Sequence, residues 1–166
     1  MIAQQLEPKY WHGWDENLIN SVKNGELTPL LEEVVNRVSE IAMVSDAYAI
    51  IHDKDVNEIY DLETHTIKTE PENVHVHILL KFSKGATLIS LALQLGIESQ
   101  YIEKAKSGRY AFDNFLAYLI HAKDSEKFQY DPNEVTTLHG KNYLDVVTER
   151  YKSWKKGRAK KDISKS

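Results

Sequence analysis

The stretch that decides the fold is VHVHILLKF, Val74 to Phe82. Alternation along it puts Val74, Val76, Ile78, Leu80 and Phe82 on one face of a strand, and His75, His77, Leu79 and Lys81 on the other. The first face needs a hydrophobic core beneath it. The second carries two imidazoles, two residues apart, projecting side by side. Upstream, DAYAIIH, Asp46 to His52, reads as another strand, with Tyr48, Ile50 and His52 on one face and Ala47, Ala49 and Ile51 on the other. Residues 53 to 73 between them are polar and acidic and read as a loop. Antiparallel pairing of the two strands would bring His52 to the two later histidines.

Helical signals surround this pair. Thr28-Pro29 reads as a cap followed by a first-turn proline, with Glu32 and Glu33 in the first turn and an apolar stripe of Leu30, Leu31, Val34, Val35, Val38, Ile41 and Ala42. Further helices are expected at about Ala86 to Leu95, Asp113 to Ala122 and Lys141 to Lys156. The aromatic run Tyr10-Trp11-His12-Gly13-Trp14 reads as an N-terminal strand. The mixture predicts an α+β domain with a central, mainly antiparallel sheet of about five strands flanked by helices. Residues 1–135 are expected to form that domain, and residues 136–166 a helical, basic C-terminal segment or linker.

Composition narrows the function. The chain has 166 residues and no cysteine, so thiolate metal sites and thiol nucleophiles are excluded, and a metal would need nitrogen and oxygen ligands. Charged residues interrupt every apolar run short of the roughly 18 that span a bilayer, and no signal peptide is recognisable, so a cytoplasmic location without a membrane is expected. The net charge of −4 is divided unevenly: residues 1–150 carry 14 Lys+Arg against 24 Asp+Glu, and residues 151–166 carry 7 against 1. An acidic body argues against non-specific nucleic-acid binding, which depends on cations neutralising phosphates.

The chemistry is concentrated in few residues. Two strand histidines at i and i+2 can share one metal ion, although His75-Val76-His77 alone reads equally well as two partly exposed histidines. His52 and Asp55, in HDKD at 52–55, add an imidazole and a carboxylate at a strand end. Together these four would suit Mn²⁺ or Mg²⁺, with Zn²⁺, Co²⁺ or Ni²⁺ as replacements. Glu58, Asp61, Glu63 and His65 in the acidic stretch are rival ligands, or solvated loop residues. In the helix from Asp113 to His121, Phe112, Phe115, Leu116 and Leu119 form the buried stripe. Tyr118 lies on its boundary, where an ordinary tyrosine would rest flat with its hydroxyl in water.

HDKD at 52–55, HVHILLKF at 75–82 and FLAYLIHAKD at 115–124, in that order and spacing, resemble the replication initiators of small rolling-circle plasmids of Gram-positive bacteria, within the HUH endonuclease superfamily. The resemblance covers Ala47 to Asp124, about half of the chain. It implies a ferredoxin/RRM-like topology, a divalent cation held by His52, Asp55, His75 and His77, and Tyr118 as the nucleophile. The implied reaction nicks one strand of a plasmid origin, leaving a 5′-phosphotyrosine and a free 3′-OH primer. The partners would be single-stranded or hairpin DNA at the origin, a host helicase and polymerase, and a second copy of the chain through a region beyond this one.

Lys81, Lys84, Lys104, Lys106, Arg109 and Lys123 are candidate phosphate contacts, with Tyr101 and Tyr110 as stacking surfaces. Each also reads as ordinary surface. Lys123 could in addition lower the phenol pKa. Other HUH nucleases, relaxases and transposases, share the histidine pair, and a non-enzymatic α+β nucleic-acid module remains an alternative. A cupin-like metal site would want a glutamate soon after the pair, whereas none occurs before Glu98. The acidic loop is longer than the resemblance expects, and the N-terminal aromatics, His12 included, receive no role from it.

Overall fold

The computed structural model describes residues 1–106, 108 and 110–165, with side chains to residue 156. A four-stranded antiparallel sheet runs in the order β1-β5-β2-β6, built from β1 (Ile2–Gln5), β2 (Met43–His52), β5 (His75–Lys84) and β6 (Thr136–His139). A separate two-stranded ribbon, β3 (Val56–Asp61) with β4 (Thr66–Pro71), is inserted between β2 and β5. The main sheet and its crossovers follow a β-α-β-β-α-β path, with the last strand at the β2 edge.

The alternation of β2 and β5 sorts two cores. Ala47, Ala49, Val76 and Ile78 face α2 (Leu27–Val38), α1 (Glu16–Val22) and α3 (Leu88–Leu95). Tyr48, Ile50 and Leu79 face the opposite way, toward α4 (Ala111–Tyr118) and α5 (Tyr143–Lys165). α2 buries Leu30, Leu31, Val34, Val35 and Val38 as expected, but it starts at Leu27 and ends at Val38, so Thr28 does not cap it and Ile41 is 37% exposed. α3 is shorter than expected, with Thr87 as its cap and left-handed Gly96 at its end, where an added Cβ would meet the His12 carbonyl oxygen.

Other expectations are corrected. The N-terminal strand is Ile2–Gln5, whereas Pro8–Tyr10 form a 3₁₀ turn and Trp11 and Trp14 are buried core residues. Their indole N–H groups donate to the Gln5 and Leu95 carbonyls, which fastens the loop without any strand pairing. Residues 56–71, read as loop, form the β3-β4 ribbon, exposed on both faces. Packing continues beyond residue 135: β6 pairs with β2, and Tyr143, Val146, Val147 and Trp154 of α5 enter the second core. Trp154 is fully buried and donates to Asp113 Oδ2 at 3.0 Å, so α5 is part of the body at least that far, not a linker. Among the described residues, no helix is long and apolar enough to cross a membrane.

Candidate metal centre and tyrosine site

Register brings the histidines together. His52 pairs with His75, and Ile50 with His77, across the β2-β5 ladder. Directly opposed residues share a face, so the three imidazoles emerge on the second-core face beside α4. Ring centroids lie 5.5 Å apart for His52 and His75, 4.1 Å for His52 and His77, and 4.8 Å for His75 and His77. Asp55 sits where the chain leaves β2 for the ribbon, and its carbonyl accepts the Glu72 N–H at 2.9 Å, closing the ribbon's base against β5.

Hydrogen bonding fixes which ring nitrogens are bare. His52 Nε2 lies 2.8 Å from the Leu119 carbonyl, to which it donates, leaving Nδ1 toward Asp55 Oδ2 at 3.1 Å. His75 Nδ1 donates to the Asn73 carbonyl at 2.9 Å, leaving Nε2 at 3.5 Å from the same Oδ2. Two lone pairs thus face one carboxylate oxygen. Such contacts are attractive only with a proton or a metal cation between the atoms. His77 is 5% exposed, and neither ring nitrogen has a partner. Burial first, then the neighbouring His52 and His75, holds its pKa down to about 2, so the ring is a neutral donor in search of an acceptor. Burial alone would raise the Asp55 carboxyl, but its contact with His52 and the hydrogen bond from Tyr130 hold it well below the usual range.

Nitrogen and oxygen donors form three overlapping triads, each with its ligand atoms within 4.8 Å of one another: His52, His75 and His77; His52, Asp55 and His121; and Asp55, Glu72 and His75. Their chemistry fits a divalent cation of intermediate to hard character. The rival ligands lie elsewhere. Asp61 pairs with Lys68 on the ribbon, Glu63 lies in its turn, Glu58 on β3, and the His65 Nδ1 meets the Tyr60 hydroxyl.

α4 supplies the tyrosine. The helix was expected to reach Ala122 but ends at Tyr118, because His121 adopts a left-handed conformation with φ of 59°. The Ala122 N–H returns to the Ala117 carbonyl at 2.9 Å and the His121 N–H to the Tyr118 carbonyl at 3.1 Å, a Schellman ending in which histidine takes the usual glycine position. That conformation costs a non-glycine residue about 1–2 kcal/mol, and it folds the His121 ring back into the site, 4.7 Å from His52 and 5.2 Å from Tyr118. Tyr118, 40% exposed, also lies 5.5 Å from His77.

Two site residues escaped the sequence reading. His121 is buried, its Nδ1 bonded to the Phe128 carbonyl, its Nε2 without a partner, and its pKa lowered chiefly by burial. Tyr130 donates to Asp55 Oδ1 at 2.7 Å, accepts the Lys54 N–H at 3.0 Å and stacks on His52 with centroids 4.4 Å apart. Nothing local in the sequence marks Tyr130; only its packing against β2 does.

The candidate DNA contacts divide. A groove of about 750 Å³ runs from His77 and Tyr118 past Asn114, Tyr110, Lys106 and Tyr101. A second, of about 770 Å³, adjoins it through Phe115 and Lys106 and includes Lys81 and Lys104. Lys81 lies over the Phe112 ring at 5.0 Å. Lys84 is exposed at the end of β5 and lines neither groove. Lys123 bonds to Asn114 and pairs with Asp113, whereas Lys127 is the cation over the Tyr118 ring, at 5.0 Å. Arg109 lies outside the described residues.

Residues 32–145, more than two thirds of the chain, match the family described as plasmid replication protein, origin binding domain. The chain belongs to this family. The histidine triads, Tyr118 and the whole α4 turn lie within the matched span of this origin-binding domain. No curated protein matches the chain, and no solved structure does.

Proposed function

We propose that this origin-binding domain nicks and rejoins one strand of its plasmid origin through Tyr118, at a divalent-cation site made by His52, Asp55, His75 and His77. The observation that carries the reading is the juxtaposition of a solvent-accessible tyrosine with buried, unpartnered His77 and with His52 and His75, whose bare nitrogens converge on the Asp55 carboxylate. A phenol of ordinary pKa near 10 is a weak nucleophile at neutral pH. His121, neutral because buried and with a free Nε2, is placed to take the phenol proton as the oxygen attacks.

In the step, the Tyr118 Oη–P bond forms as the P–O3′ bond breaks. The strand is left with a 3′-OH, and its 5′-phosphate becomes joined to Tyr118. A bound Mn²⁺ or Mg²⁺ would supply Lewis-acid stabilisation of the phosphate oxygens. Lys127 over the Tyr118 ring adds local positive charge, and the groove with Lys81, Lys104, Lys106, Tyr101 and Tyr110 combines cations and aromatic faces suited to an unpaired strand. A non-enzymatic origin-binding module would have no use for His77, a buried histidine with two unsatisfied nitrogens.

The test is covalent capture. With Mn²⁺ and single-stranded fragments tiling the origin, the protein should form a denaturation-resistant adduct on one fragment. Tyr118→Phe should form none while binding the same DNA. An adduct that persists in Tyr118→Phe would overturn the nucleophile assignment, and no adduct on any fragment would overturn the nicking reading.

A further inference from the structure

Resting on that reading of the site, we propose that Glu72 is an additional ligand of the cation, supplying a second carboxylate that no sequence motif assigns. Glu72 lies three residues before His75, in the segment that joins the ribbon to β5. Its carboxylate, an Asp55 oxygen and a His75 ring nitrogen all lie within 4.8 Å of one another. Twice an ordinary metal-to-ligand distance of about 2.0–2.2 Å is about 4.4 Å, so a small inward shift of side chains would close the group on one ion.

Three features support a cation between these groups. The Glu72 amide donates to the Asp55 carbonyl, so the two acidic residues are held on the same rung at the ribbon's base. His75 Nδ1 is committed to Asn73, which turns the bare Nε2 toward the carboxylates. Next to it His77, 5% exposed, presents two nitrogens with no partner, so the same centre already contains an unsatisfied buried donor. Glu72 is itself half-buried, and among the described residues it has no ion-pair partner. His75 has a single free nitrogen and therefore serves one ion at a time. The outer triad of Asp55, Glu72 and His75 and the inner triad of His52, His75 and His77 share His75, so an ion held at its free nitrogen is the one that Glu72 can reach.

The consequence is selectivity. Three imidazoles and one carboxylate tolerate Zn²⁺ well, while a second carboxylate favours the harder Mn²⁺ and Mg²⁺, which accept six oxygen-rich ligands. The ribbon thus contributes to the metal centre from its base, and anything that displaces its two strands would move Glu72 relative to Asp55.

Mn²⁺ and Zn²⁺ binding to metal-stripped protein, followed by Mn²⁺ electron paramagnetic resonance and by competition calorimetry, tests this without reference to nicking. Wild type should bind one Mn²⁺. Glu72→Gln should weaken Mn²⁺ at least tenfold, with a smaller loss for Zn²⁺, and Glu72→Asp should recover part of the Mn²⁺ affinity; circular dichroism confirms folding of each. Unchanged Mn²⁺ affinity in a folded Glu72→Gln would overturn the assignment and leave the nicking reading standing. A wild type that binds no Mn²⁺ would overturn both.

Discussion

His77 gives the sharpest prediction, because its burial couples the metal-free site to the stability of the whole domain. Folding keeps this imidazole neutral, with a pKa of about 2 against the ordinary 6.5. The folded-state pKa is the lower one, so between these values the unfolded chain binds a proton that the native state refuses, and stability falls as pH falls. Between pH 7 and pH 5 the difference amounts to about 2 kcal/mol, at 1.36 kcal/mol for each pKa unit traversed below the unfolded value. For a chain of this size that lowers the melting temperature by about 4–8 °C. His121, also lowered by burial, acts with the same sign. Asp55 acts elsewhere: its carboxyl is depressed, so its contribution is intact above the unfolded carboxyl pKa of 3.8 and is lost only as pH falls below it. The assay is urea or thermal unfolding of chelator-treated protein at pH 7 and pH 5, for wild type and His77→Gln. The variant should lose most of the pH dependence across this window. If the wild type is equally stable at both pH values, or if His77→Gln retains the full slope, the buried neutral imidazole is not the coupling group.

Two further outcomes follow from the supporting residues. Tyr130→Phe removes the donor to Asp55 Oδ1 while keeping the ring on His52, so Mn²⁺ affinity measured by calorimetry should drop about 10–100-fold with the fold retained. Trp154→Ala deletes a fully buried indole and its bond to Asp113; it should destabilise the domain by about 3–5 kcal/mol in denaturant unfolding, and a near-neutral effect would show that α5 is not anchored there.

The strands that build the candidate metal centre were legible because each has one clear face per core: alternation in Val74 to Phe82 and in Asp46 to His52 forces His52, His75 and His77 to the same side once the strands pair. The β3-β4 ribbon was not, since a strand exposed on both faces has no burial pattern to imprint on its sequence. Aromatic content misplaced the first strand. Trp11 and Trp14 are buried by packing edge to face, with centroids 5.2 Å apart, and by indole bonds to carbonyls, a solution that needs no ladder. The end of α4 was misread because helical periodicity continues through Leu119 and His121, whereas the left-handed turn at His121 is a tertiary choice. Its reward is local: the turn returns an imidazole to Tyr118 and frees the Leu119 carbonyl to orient His52. Tyr130 and Glu72 depend on contacts that close only when the ribbon's base and the segment after α4 are in place.

The uneven charge of the chain acquires a spatial meaning from the same geometry. Eight of the acids lie between Asp46 and Glu72, against two lysines, and this stretch is most of β2, its exit and the whole ribbon. The proposed cation site sits at its edge, where clustered carboxylates would help attract a divalent ion but repel a phosphate chain. The grooves that open beside Tyr118 run the other way, toward α4 and residues 101–106, and among the described residues their lining offers Lys81, Lys104 and Lys106 against the single acid Glu103. Under the proposed function, a strand whose scissile phosphate reaches the site would therefore meet favourable charge only along the α4 side, and its approach over the ribbon would be opposed. An acidic body is compatible with origin binding because screening confines each charge to a Debye length of about 8 Å at physiological salt, so on the proposed reading the local sign along the groove, and not the net −4, would govern where DNA lies.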